Sequence, residues 1–243
     1  MRMLTFSSRC AKEILRDPIN LVFGLGFPLV LMALLSAMQS NIPTEMFHIA
    51  GLAPGLCIFG LSFITLFSAT LIAKDRDSAL LQRLYTTALS PSDFILGYML
   101  PLIPMAMVQS ALCYAFAMLL GLPCRINIIY GIIMILPISV FYISLGLLCG
   151  SILNVKQVGG VCGALLTNLS AWLSGIWFDL ELVGDVFVKV ANLLPFVHAV
   201  ELERAIIKGE FSQALLHIYP VVGYAVITTA LAVMVFLRQM NRQ

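Results

Sequence analysis

Six stretches of this chain run for 20 residues or more without an aspartate, glutamate, lysine or arginine: 19–38, 49–73, 98–120, 128–152, 157–178 and 218–237. Each is long enough to cross about 30 Å of hydrocarbon as a helix. Residues 19–38 hold eleven Leu, Ile, Val or Phe side chains, together worth roughly −5 kcal/mol on the insertion scale, whereas one central charge costs about 3 kcal/mol. The apolar residues run on without alternating, which excludes the wall of a β-barrel. Charged residues make up 11% of the 243 positions and apolar ones 60%. A soluble domain carries about 25% charged residues, so a water-soluble enzyme and a disordered tail are excluded. The net charge of +2 is too small for a nucleic-acid partner. The predicted fold class is an all-α polytopic membrane protein with six transmembrane helices. The first of them reads as a retained span, because its apolar run exceeds a signal-peptide core and no A-x-A site follows.

Lysine and arginine set the orientation. With both termini inside, the cytoplasmic side holds Arg2, Arg9, Lys12, Arg16, Lys74, Arg76, Arg83, Lys156, Arg238 and Arg242, and the outer side holds Arg125, Lys189, Arg204 and Lys208. Ten cations against four predict N-in, C-in, with the lipid bilayer as a partner.

Three segments outside the spans carry information. In residues 1–17 the cations Arg2, Arg9, Lys12 and Arg16 share one helical face, with Met3, Leu4, Ala11, Ile14 and Leu15 opposite. That pattern predicts an amphipathic helix on the cytoplasmic leaflet, its cations toward headgroups, ended by Asp17-Pro18. In the loop after the second span, Asp75 and Asp77 suit a helix start; Leu80, Leu81 and Leu84 form an apolar face, with Arg76 and Arg83 elsewhere. Ser90-Pro91-Ser92-Asp93 reads as a second helix start. A cytoplasmic helix over 75–84 is expected, longer than a turn requires. Residues 180–208 are too charged to span and predict two outer helices joined at Pro195.

No P-loop, HExxH or GxSG motif occurs, and the six cysteines form no CxxC pair. No catalytic residue and no metal site is predicted. His48, His198 and His217 fall at outer ends of spans, and Glu201, Glu203 and Arg204 read as a solvated face. Phe59, Phe63 and Phe67 repeat every four residues and line one face; such a stripe faces lipid, packs against a helix or forms a greasy path for an amphipathic substrate. Asn168, Ser170 and Ser174 supply polar groups in the fifth span, for interhelical hydrogen bonds or for a pathway.

The chain resembles the ABC-2-type permeases, the membrane subunits of ABC exporters with the type V fold. Asp75, Arg76 and Asp77 match the charged start of the family's loop pattern, Leu81 and Leu84 its apolar positions, and Thr87, Ser90 and Gly97 its later ones. Ser174, Gly175, Phe178, Pro195, Ala199 and Gly209 fit its outer segment, with Glu203 and Arg204 near the charged stretch. The sequence departs at Ala79, Ala88 and Tyr98, where Gly, Pro and Lys are usual. The resemblance implies a connecting helix at 1–17, a coupling helix at 75–84 seated on an ATPase, and outer re-entrant helices at 180–208. It implies a separate ATPase chain carrying ATP and Mg²⁺, with no cofactor here. It also implies a second permease copy, identical or not, and an exit path between spans two and five of both copies. The implied function is export of an amphipathic or hydrophobic substrate (drug, antimicrobial peptide, lipid or lipid-linked glycan) across a bacterial cell membrane. The alternatives are a polytopic membrane enzyme, for which no His, Asp or Glu cluster is found, and a scaffold or carrier half, for which no inverted repeat is found.

Overall fold

The computed structural model describes residues 2–39, 48–78 and 90–240. They are helical almost throughout, and no strand occurs among them. The chain runs α1 (Arg2–Leu15), α2 (Pro18–Gln39), α3 (Ile49–Asp77), α4 (Pro91–Leu119) and α5 (Asn127–Ile152). A composite follows: α6 (Val155–Val158), a π-helix (Gly159–Leu166) and α7 (Thr167–Leu173). A 3₁₀ turn (Leu180–Leu182), α8 (Asp185–Leu193), α9 (Pro195–Lys208) and α10 (Phe211–Met240) complete it. Five helices, α2, α3, α4, α5 and α10, are long and apolar enough to cross a membrane.

The long helices begin close to where the charge-free stretches do but overrun them. α10 starts at Phe211, ahead of the expected 218, and α3 continues to Asp77, beyond 73. The absence of charge marks where hydrocarbon is tolerated, not where helical hydrogen bonding ends. The fifth stretch is the exception. Gly159, Gly160 and Gly163 offer no side chains to hold a tight turn, and the helix widens there into the π form before ending at Leu173, short of the expected 178. Gly175, in the left-handed region at φ +67°, then bends the chain. The expected start at Ser90 is present as a full capping box: its hydroxyl accepts from the Asp93 amide, and the Asp93 carboxylate accepts from the Ser90 amide at 2.9 Å.

α3 is the axis of the bundle and the most enclosed of the five long helices. Its tightest neighbour is α5. β-carbons added at Gly146 and Gly150, one helical turn apart on α5, would fall on the carbonyl oxygens of Thr65 and Ala69. The two backbones therefore meet with nothing between them, the close approach that small residues permit in membranes. Two hydrogen bonds pin the crossing: Thr65 Oγ1 donates to the Tyr142 carbonyl at 2.8 Å, and Ser68 Oγ to the Ile143 carbonyl at 3.0 Å.

α1 is docked more firmly than an interfacial helix needs to be. Phe6 and Cys10 are buried. Phe6 lies across Gly97 of α4, edge-on to Tyr98 at 4.9 Å and Phe94 at 5.6 Å between ring centroids. The expected apolar face is only partly the docked one: Leu4 and Leu15 are exposed and remain free to face lipid.

Candidate functional site

The C-terminal end of α3 and the N-terminal end of α4 are joined to α1 by one buried carboxylate. Asp75 was expected to open a loop helix; it lies instead in the last turn of α3, 1% exposed. The Arg9 guanidinium donates to both of its oxygens at 2.5 Å and to Glu13 at 2.6 Å. The fully buried Tyr98 hydroxyl donates to Asp75 at 2.8 Å. Asp75 outweighs burial and raises the Arg9 pKa further above its ordinary value. Arg9, expected among the headgroup-facing cations, is 37% exposed and is paired with Asp75 and Glu13. Tyr98, standing where lysine is usual in the resembling family, supplies the second donor to Asp75, and Arg9 supplies the positive charge.

The neighbouring Arg76 closes a second junction. Its guanidinium donates to the Ser151 carbonyl and, at 2.5 Å, to that of Leu153. These are orphan acceptors at the C-terminus of α5. The Gln239 amide of α10 reaches the same Ser151 carbonyl. Asp77 is exposed in the last turn of α3. Leu80, Leu81, Arg83 and Leu84 lie outside the described residues. Lys12 and Arg16 are exposed, and the Arg2 side chain is outside those described.

The pathway candidates do not converge. Phe59 and Phe67 are buried and Phe63 half-buried, in the seam between α2 and α3. Phe27 of α2 meets Phe59 and Phe63 at 6.2 and 5.8 Å, and a β-carbon at Gly24 would sit 2.6 Å from the Phe67 ring. Ser170 is buried against the Tyr142 hydroxyl at 3.0 Å, and Ser174 donates to the Ala171 carbonyl at 3.1 Å. Asn168 faces outward from the chain, its amide donating to the Ala164 carbonyl at 2.8 Å.

Residues 180–208, expected as outer helices, are built on α9. Arg204 pairs with Glu201 at 2.8 Å and donates to the carbonyls of Gly51 and Gly175, tying α9 to the start of α3 and to the bend after α7. The His198 Nε2–H donates to the Asn192 carbonyl at 2.9 Å, and its Nδ1 lies 3.0 Å from Nδ1 of His217 of α10, from which the neutral ring accepts. Glu203 departs from the expected solvated face. It is completely buried, and one oxygen accepts from the Tyr114 hydroxyl of α4 at 2.6 Å. Burial pushes its carboxyl up to about 8, with the Tyr114 hydrogen bond pulling the other way. The missed signal was its register, since Phe196, Val200, Glu203 and Ile207 fall on one buried stripe of α9.

A chain that is helical almost throughout its described residues, with five helices among them able to cross a membrane, is a multi-pass membrane protein. Residues 2–208 match the family model "ABC-2 type transporter", and the chain belongs to that family. It is thus a transport component of a membrane, not itself an enzyme. It is also similar to a protein named Nodulation protein J from Sinorhizobium fredii (strain NBRC 101917 / NGR234). The two are 24% identical over 223 residues, covering 90% of this chain and 82% of the relative.

Proposed function

We propose that this chain is the permease subunit of an ATP-driven exporter in a bacterial cell membrane. It has six spans, with α6, the π-helix and α7 forming the fifth, and both termini in the cytoplasm. Two permease copies pair with two separate ATPase chains, which hold ATP and Mg²⁺. The substrate class is amphipathic or hydrophobic. Family membership supports the transport role. The observation that carries the mechanical reading is the Arg9–Asp75–Tyr98 junction, immediately before residues 79–89.

A push from an ATPase must reach the spans through something stiff. In this reading the segment after Ser78 receives it, with Leu80, Leu81 and Leu84 docked on the ATPase and Arg83 on its rim. Asp75 passes it at once to α1, α3 and α4. Arg76 passes it to α5. The outer helices α8 and α9 cap the exit. Asn168, facing outward from mid-span, meets the second copy or the substrate: Ala164 accepts one of its amide hydrogens, and leaving the rest of a carboxamide in hydrocarbon is costly. Phe59, Phe63, Phe67, Ser170 and Ser174 line the path only if the seams they now fill open during the cycle.

Leu84→Asp tests the docking. In this reading it places a charge on the apolar face that docks the ATPase. The expected result is normal membrane insertion with at least about tenfold less ATPase retained on purification, a loss of roughly 1.4 kcal/mol of binding. Wild-type retention of the ATPase by Leu84→Asp would overturn the docking assignment.

A further inference from the structure

Glu203 sits where a charge is least tolerable. It is 0% exposed, and a β-carbon at Gly131 of α5 would come within 3.0 Å of one of its oxygens. That oxygen accepts from Tyr114, while Oε1 has no hydrogen-bond partner. The other groups around it are uncharged or turned away. Cys57 of α3 is a buried thiol near it, and Cys113 of α4, also buried, lies beside Cys57 and Tyr114. Arg204, next along α9, is committed to Glu201, Gly51 and Gly175. His217 of α10 meets His198 on α9 and not Glu203. Asp185 and Lys189 of α8 are exposed. Among the described residues no cation faces the carboxyl. An ionised carboxylate in such surroundings is strongly disfavoured and takes up a proton instead.

We propose that Glu203 is a proton-binding site that seats the outer helix: protonated, it holds α9 against α4 and α5; ionised, it drives α9 out of that seat. The proton resides on Oε1, the oxygen without a partner, and leaves to the outer aqueous side when α9 lifts. The sign follows from linkage. A carboxyl raised in the seated state favours that state fully below its ordinary value of 4.5, and the advantage is lost as pH rises through about 8. This inference stands on the packing of α9 and holds whatever the chain transports; only the side to which the proton leaves rests on the proposed topology.

The test uses the whole chain in lipid nanodiscs. Infrared spectra at neutral pH should contain the carbonyl stretch of a protonated carboxylic acid, absent from Glu203→Gln. Hydrogen exchange of 195–208, normalised to α10, should accelerate about tenfold or more between about pH 6 and about pH 9.5 in the wild type, a span that brackets the raised carboxyl. In Glu203→Gln, a neutral isostere, the exchange ratio should stay flat. Tyr114→Phe removes the hydroxyl that favours the ionised form, so its transition should move to higher pH. It also keeps the site testable if the glutamine variant folds poorly. A flat wild-type profile, an unchanged slope in Glu203→Gln, a Tyr114→Phe transition that does not rise, or an infrared band surviving Glu203→Gln would each overturn the proposal.

Discussion

Arg9→Met should cost about 3–5 kcal/mol of stability, the range for stranding a buried charge by deleting its partner. The carboxylate of Asp75, with its side chain 2% exposed, would keep a single hydrogen bond, from Tyr98. Asp75→Leu removes the charge itself. Arg9, 37% exposed with Glu13 still beside it, then turns to water, and the main loss is the orphaned Tyr98 hydroxyl, about 1–3 kcal/mol. The order matters more than the sizes: Arg9→Met should be worse than Asp75→Leu, and the double variant should be better than Arg9→Met alone. Unfolding titrations in mixed micelles measure all three. If Arg9→Met were as stable as the wild type, Asp75 would not be the fastening of α1 to the bundle.

Gly150→Val should be comparably damaging for a different reason. Its β-carbon would collide with the Ala69 main chain, and backbone in the middle of two packed helices cannot swing aside as a side chain can. Overpacking typically costs 1–3 kcal/mol, and contact with main chain puts this case at about 3 kcal/mol. By comparison, Ser68→Ala removes one interhelical hydrogen bond at the same crossing, worth about 0.6 kcal/mol in a membrane bundle. The glycine variant should therefore lose markedly more folded protein in detergent than the serine variant. Equal losses would mean that hydrogen bonding, not close backbone approach, holds α3 to α5.

The contrast between these sites shows what a linear reading can reach. Hydrocarbon tolerance depends on local composition, so the charge-free stretches found the long helices, and Ser90 with Asp93 found a cap, because both are settled within a few residues of chain. Asp75 and Glu203 were misplaced because burial of a carboxylate depends on partners 66 and 89 residues away, Arg9 and Tyr114. Asp75 reads as a helix start in the sequence and ends a helix in the structure, since an aspartate suits either role until its partner is known. Gly146 and Gly150, small residues four apart, were not singled out in the sequence, and the helix they meet is visible only in the structure. Likewise the Phe59–Phe63–Phe67 stripe announced an apolar face, and only the position of Phe27 and Gly24 gives it to α2.

The central claim, that an outside ATPase drives this membrane subunit, is tested most directly by purifying the chain from its native membrane and reconstituting it in lipid vesicles with and without what comes with it. The account predicts that a separate P-loop ATPase co-purifies in one-to-one ratio, that the complex hydrolyses ATP, and that the chain stripped of it hydrolyses none and moves nothing. Full transport by the stripped chain, or ATP-independent transport by the complex, would contradict it.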